Sequence, residues 1–190
     1  IESTGRFVKG EDASLHLKAG AKKVVISAPA KGDDSLVATH VIGVNEDKID
    51  VKNVHVFSNA SCTTNCITPI AAVIEREFGI EKAMMTTVHS YTASQALQDA
   101  PAKDLREGRN AAENIVPTST GATIAAAKAL PALEGVFQGL SIRVPTPVVS
   151  LSDFTFLTKK TTTIEEVNEA IKKASRQDRF RGVLSYTEEE

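Results

Sequence analysis

Two residues of this chain, Cys62 and His89, are of types that could do covalent chemistry together. Cys62 stands in Ser58-Asn59-Ala60-Ser61-Cys62-Thr63-Thr64-Asn65-Cys66. An apolar run, Val54 to Phe57, precedes this stretch, and apolar residues recur after it at Ile67, Ile70, Ala71, Ile74 and Phe78. The run reads as a buried strand and the recurrence as one face of a helix, with Gly79 at its C-terminal end. The thiol therefore falls where a strand hands over to a helix, with Ser61 as N-cap. Unpaired backbone N–H groups and the positive end of the helix dipole favour thiolate there. A cysteine at its free pKa is only a few per cent thiolate near neutral pH, so this placement increases the reactive fraction. Cys66, four residues on and inside the helix, reads as an inert structural cysteine of the kind that packs as a small hydrophobe.

A thiolate needs a base, and the chain has four histidines. His89 follows a strand expected over Lys82 to Val88, so it and Cys62 could meet at one rim of a sheet. His16, His40 and His55 have no comparable neighbours. Thr118-Ser119-Thr120-Gly121 opens an Ala-rich helix, and such a start can cradle an anion on free N–H groups. Leu140-Ser141-Ile142-Arg143-Val144 alternates, which puts Arg143 on the polar face of a strand, as a solvated charge or an anion clamp. Together these features suggest chemistry on a phosphorylated substrate through a covalent thio-intermediate. Spacing alone leaves hydrolase, acyltransferase and dehydrogenase open.

The elements that must hold these groups read as α/β. Glu11 to Ala19 is a short helix closed by Gly20. Val24–Ser27, Val41–Val44 and Val54–Phe57 are short strands without clean alternation, as in a parallel sheet covered on both faces. Loops at strand ends, such as Ser3-Thr4-Gly5 and Ser27-Ala28-Pro29, are where such folds bind ligands. The stretch 93–117 is polar and irregular, the pattern of a functional or interface loop. Val148 to Leu157 is a long or bent strand. Thr163 and Glu166 form a capping box that opens a helix to about Ser175. Val183 to Tyr186 is strand-like again.

Composition bounds the function. A net charge of −2 with no basic stripe argues against a nucleic-acid partner. Two cysteines make neither a disulfide framework nor, at this spacing, a metal site, and they fit a reducing, cytoplasmic setting. No apolar run approaches the ~20 residues of a membrane span, and no signal peptide is visible. The chain starts at Ile1 in mid-pattern and ends on Thr187-Glu188-Glu189-Glu190, so it reads as a piece of a longer protein.

The stretch at 58–66 resembles the nucleophile signature of phosphorylating glyceraldehyde-3-phosphate dehydrogenases. Glu2-Ser3-Thr4-Gly5, Ile26-Ser27-Ala28-Pro29, His89-Ser90-Tyr91-Thr92, Pro117-Thr118-Ser119-Thr120-Gly121 and Arg143-Val144-Pro145-Thr146-Pro147 resemble the same family in its order, so the likeness covers essentially the whole chain. It implies the C-terminal part of a Rossmann-type parallel sheet (1–61, the end of an NAD-binding domain) followed by an α+β catalytic domain with a large mixed sheet (62–190). It implies that Cys62 attacks the aldehyde of glyceraldehyde 3-phosphate and that His89 activates the thiol and takes the proton as hydride leaves to NAD. Inorganic phosphate would then attack the thioester to give 1,3-bisphosphoglycerate. By the same resemblance Thr92 and Arg143 match the site for the substrate's own phosphate. Ser61, Thr63, Thr120 and Gly121 match residues around the attacking phosphate. Ser27 matches a residue near the nicotinamide, and Thr4, Gly5 and Phe7 match the turn beside the adenosine half. No metal is implied. The stretch from Tyr91 to about Asn114 matches a loop at a subunit interface of the family's homotetramer.

The departures are informative. Ala93-Ser94 stands where many bacterial members have Asn-Asp, a variation that other members share. Pro101 leans toward NAD over NADP. The Thr-Gly at 120–121 speaks against the related erythrose-4-phosphate enzymes, which lack it. The Gly-rich first turn, the acidic residue that reads the adenosine ribose and the C-terminal Asn that holds the nicotinamide amide have no counterpart here, so the 190-residue chain alone is expected to be inactive. A non-enzymatic binding role and a Cys–His hydrolase are the competing readings.

Overall fold

A computed structural model of the chain describes residues 1–32 and 34–189. The first part is a small parallel α/β unit. Helix α1 (Gly10–Lys18) precedes strand β1 (Val24–Ile26), β2 (Ala38–Thr39) and β3 (Val56–Ser58). The strands form a three-stranded sheet in the order β1-β3-β2, parallel throughout. Glu2 adds an isolated parallel bridge to Ile26. Ala13 of α1 packs on Val24, Ile26, Val37 and Val56, which is what holds α1 against the sheet.

The second part is built on a mixed sheet. Helix α2 (Cys62–Phe78) leads into β4 (Ile80–Ser90), followed by β5 (Val116–Thr118), α3 (Ala122–Ala129), β6 (Phe137–Val144), β7 (Ser150–Thr158) and α4 (Ile164–Ser175). The order is β5-β6-β4-β7, with β4 and β6 parallel and the other pairs antiparallel. The expected apolar face of α2 is real. Ile67, Ala71, Ile74 and Phe78 pack with Ala83, Met85, Ala126, Leu133 and Phe137. That stripe carries the helix through Pro69, whose missing N–H costs it one backbone bond. Gly79, at φ +69°, ends α2 and turns the chain straight into β4. Helix α4 docks its Ala174 with Phe180 against Val73 of α2. Among the described residues no helix is long and apolar enough to cross a membrane.

Four expectations need correction. Val41–Val44 is a turn, and the strand lies at Ala38–Thr39. The Asn45 side chain accepts from Val41 N and donates to the Thr39 carbonyl, so a side chain takes over the backbone groups that a longer strand would have paired. Val41 is nonetheless fully buried, against Ala60, Ala125 and Ala129. Val183–Tyr186 is not a strand, because the amides of Val183 and Leu184 turn back onto the Phe180 carbonyl. Strand β5 straddles the end of the stretch that read as irregular and takes in Thr118, and its Pro117 is tolerated at the sheet edge. The faces of β6 are inverted: Leu140 is 44% exposed while Ser141 is buried. The helices cover the face that carries Ser141 and Arg143, and the opposite face leaves Met84, Leu140, Leu151 and Leu157 exposed.

Candidate active site

The site starts at a cap. Ser61 is extended (φ −100°, ψ 164°), and its Oγ accepts from Thr64 N at 2.9 Å and pairs with Thr64 Oγ1 at 2.7 Å. Asn65 Nδ2 donates to the carbonyls of Asn59 and Ser61. Ala60, at φ +56°, supplies the left-handed turn between β3 and the cap. These local bonds fix Cys62 as the first residue of α2 with its thiol exposed, at the positive end of a 17-residue helix. Cys66 is exposed as well, which corrects the expectation that it packs as a core residue. One turn along α2 it stays off the stripe that Ile67, Ala71 and Ile74 bury.

Strand β4 delivers the base. His89 is nearly buried, and its Nε2 lies 3.4 Å from Cys62 Sγ. In the parallel ladder His89 pairs in register with Arg143 of β6. Arg143 Nη1 is 2.6 Å from His89 Nδ1 and donates to the Ser90 carbonyl at 3.1 Å. His89 Nδ1 is also 2.7 Å from that same carbonyl. Burial pushes the Arg143 guanidinium below its ordinary range, while the charges of Cys62 and Glu107 pull it back up. Glu107 lies on a 3₁₀ turn, Leu105–Gly108, and accepts from Thr118 Oγ1 of β5.

The remaining expected residues fall into two groups. Thr64 Oγ1 reaches the Ala122 carbonyl at 3.3 Å, so the start of α3 sits beside the start of α2. This brings Thr120 and Gly121 to the Cys62 side of the sheet. Gly121 is the N-cap and no side chain caps α3; Thr120 Oγ1 accepts from Ala122 N at 3.2 Å. Thr63 is buried beside Cys62. Thr92 leaves the end of β4, where buried Gln95 accepts from its backbone N–H and Ser94 Oγ lies 3.0 Å from its Oγ1. The second group lies at the C-terminal ends of β1 and β3. Ser27 N donates to the Glu2 carbonyl, and Glu2 in turn accepts from Thr4 N and Oγ1. Gly5 has φ +75° with open space around it, and the Phe7 ring meets His16 edge-on. Asn59 N donates to the Ile26 carbonyl and Ser58 Oγ to that of Ala28. The two groups are therefore joined through the stretch that leads to Cys62.

Three contributors escaped the reading of the sequence: the Ser90 carbonyl, Glu107 and Gln95. A backbone carbonyl has no signature in a sequence. Glu107 lay in the polar, irregular stretch 93–117, where nothing singled it out. Gln95 looked like one more polar loop residue, and only its burial marks it. The arrangement offers a thiol at a helix start, an imidazole in reach of it, and a half-buried cation on the far side of the ring. That set suits covalent capture of an electrophilic carbon on an anionic substrate.

Known proteins extend this picture. The family model described as glyceraldehyde 3-phosphate dehydrogenase, C-terminal domain, matches residues 61–190. Glyceraldehyde-3-phosphate dehydrogenase of Geobacillus stearothermophilus is 56% identical over 189 residues, covering 100% of this chain and 55% of that protein. The Bacillus subtilis glyceraldehyde-3-phosphate dehydrogenase 1 is 55% identical, and the Streptomyces coelicolor enzyme 53%, each over the same shares of the two chains. The chain thus spans about half the length of the curated relatives it matches.

Proposed function

This chain belongs to the glyceraldehyde 3-phosphate dehydrogenase family, and we propose that the whole protein oxidises glyceraldehyde 3-phosphate to 1,3-bisphosphoglycerate with NAD and inorganic phosphate. The observation that carries the reading is the 3.4 Å approach of Cys62 Sγ to His89 Nε2 at the start of α2. Cys62 attacks the aldehyde carbon and gives a hemithioacetal. The Cys62 N–H and the His89 ring stabilise the oxygen that becomes anionic. As the hemithioacetal is oxidised, His89 takes the hydroxyl proton. Thr92 and Arg143 hold the substrate's phosphate. Thr63, Thr120 and Gly121, with the capped Ser61 beside them, bound the space from which inorganic phosphate attacks the thioester carbonyl and releases Cys62.

NAD, when bound, supplies the acceptor for the hydride. Thr4, Gly5, Phe7 and Ser27 fit one flank of its site, because they lie at the C-terminal ends of parallel strands, where open α/β sheets bind such ligands. The pyrophosphate-binding turn G-x-G-x-x-G does not occur in this sequence. We further propose that residues 1–61 close a cofactor domain, that 62–190 form the catalytic one, and that the whole protein is a cytoplasmic homotetramer. The apolar outer face of the mixed sheet and the exposed Leu97 and Leu105 support the assembly.

The test is NADH formation by the full-length protein. It should require both glyceraldehyde 3-phosphate and inorganic phosphate for full turnover and vanish in Cys62→Ser. Hydrolysis of a carboxylic ester to free acid, with no need of NAD or phosphate, would replace this reading with a Cys–His hydrolase. An active Cys62→Ser variant would remove the thiol from the mechanism.

A further inference from the structure

Glu107 puts a carboxylate beside groups suited to anions. Its Oε1 accepts a hydrogen bond from Thr118 Oγ1, the buried first hydroxyl of Thr118-Ser119-Thr120-Gly121. In the antiparallel ladder Val116 stands opposite Arg143 and Thr118 opposite Ser141. Thr118 therefore lies on the face of the sheet that carries Arg143 and His89. The charge of Glu107 reaches Arg143 and supports its guanidinium against the burial that lowers it. Glu107 and Ser119 also line an open cavity of about 650 Å³, together with Lys103 and Arg106, so the carboxylate can be met by an ion from solvent. The loop fixes its position. Glu107 N donates to the Asp104 carbonyl, and Asp104 caps the 3₁₀ turn by accepting from Arg106 N. Ala100 N donates to the Gly108 carbonyl at 2.9 Å, and a Cβ on Gly108 would lie 2.5 Å from the Ala100 carbonyl oxygen. The residue after Glu107 thus has no room for a side chain, which pins the turn against Ala100. The loop's own arginines form their ion pairs elsewhere, Arg106 with Asp104 and Arg109 with Asp99.

We propose that Glu107 is a specificity-determining residue of the acyl-acceptor site: it selects a tetrahedral oxyanion that brings a proton of its own, inorganic phosphate, over one that has none, such as sulfate. This rests on the reading above in that Thr120 and Gly121 bound the acceptor's place. A carboxylate only accepts hydrogen bonds, and its lone pairs serve several donors, so Thr118 does not exhaust it. Inorganic phosphate keeps at least one P–OH near neutral pH, and its dianion matches sulfate in charge and shape. The two differ by that single donor. Phosphate can give Glu107 a charge-assisted hydrogen bond, whereas sulfate sets acceptor against acceptor and leaves like charges unbridged. With its protonated oxygen at Glu107, phosphate turns its bare oxygens to the start of α3 and to the thioester carbon. Thr120 Oγ1 accepts from Ala122 N there, which leaves its own hydrogen to donate. A site built to pair with a donor on its substrate rejects the analogue that lacks it far more strongly than a site built on shape.

The experiment sets sulfate against phosphate in the full-length protein. NADH formation is followed at saturating glyceraldehyde 3-phosphate and NAD and at constant ionic strength, with phosphate varied and sulfate as inhibitor. In the wild type the Ki of sulfate should exceed the KM of phosphate by at least about tenfold. Glu107→Gln keeps the shape and the acceptor for Thr118 but adds a donor and removes the charge, so the ratio should fall by about tenfold. A wild type that takes sulfate as well as phosphate overturns the proposal without recourse to any variant, and so does a ratio that Glu107→Gln leaves unmoved. Titration calorimetry of the same protein with each ion gives the ratio independently of turnover. Dehydrogenase activity without discrimination would defeat the role of Glu107 and leave the enzyme reading standing. Discrimination in a protein that forms no NADH would do the opposite.

Discussion

At the scale of single residues, the candidate site surrounds both nitrogens of one imidazole with polar partners. His89 Nε2 faces a thiol and Nδ1 faces a cation and a carbonyl, so the imidazole cannot be replaced by a side chain that only mimics its shape. His89→Asn in the full-length protein should lower kcat by about 10²–10⁴-fold, the range that general acid–base groups supply. A steady-state assay checks this, and a loss under tenfold would mean that another group takes the proton. A second residue-scale expectation concerns Glu2, away from the thiol. Its carboxyl is held below its ordinary value of 4.5, first by the Thr4 hydroxyl and further by His16. A carboxylate depressed in the fold contributes stability that is complete above its unfolded pKa and is lost as pH falls through the folded one. The wild-type melting temperature should therefore drop more steeply than that of Glu2→Gln as pH falls below 4.5. Parallel curves would show that the carboxylate gains nothing from the fold.

At the scale of elements, the start of α2 was fully legible because everything that sets it is local. Ser61 as cap, Cys62 as first helical residue and the stripe through Phe78 lie within one short stretch, and their chemistry does not depend on what packs elsewhere. The capping box at Thr163 and Glu166 was readable for the same reason. What escaped the sequence is non-local. Val41 is as apolar as a strand residue, and only the Asn45 bonds to Thr39 and Val41 decide that it turns. Pro117 disguised β5, whose existence depends on β6 lying next to it. Arg143 lay on the expected alternation, but which face the helices cover is a property of the packed sheet, so its side chain points to His89 where solvent was as reasonable. The cap itself can be tested. Ser61→Ala removes the acceptor of Thr64 N and should cost about 1 kcal/mol. That lowers the melting temperature by about 2–4 °C for a chain of this size. Iodoacetamide should also label Cys62 more slowly, because the first turn no longer holds the thiol against the helix end. Unchanged labelling would separate the cap from the reactivity.

At the scale of the whole molecule, the proposed chemistry and the proposed cofactor site are unevenly represented. The thiol, the base and the cation come from three elements of the mixed sheet and its helices, all present and in contact. The side where we propose the dinucleotide lies is a parallel sheet of three short strands among the described residues, with Thr4, Gly5 and Ser27 on one flank. A dinucleotide draws much of its orientation from a glycine turn against the pyrophosphate, and the G-x-G-x-x-G pattern of that turn does not occur in these 190 residues. Binding energy that is absent cannot be replaced by a well-formed nucleophile, since a thiol at the right place still needs the hydride acceptor held within reach of the substrate carbon. The 190-residue chain expressed alone should therefore show no saturable NAD binding by titration calorimetry and no NADH formation, while the full-length protein shows both. Cys62 in the isolated chain should still react with iodoacetamide ahead of Cys66, because the helix start and His89 travel with it. Cys62-dependent NADH production by the isolated chain would refute the division of labour, and would mean that the flank formed by residues 1–61 holds the cofactor unaided.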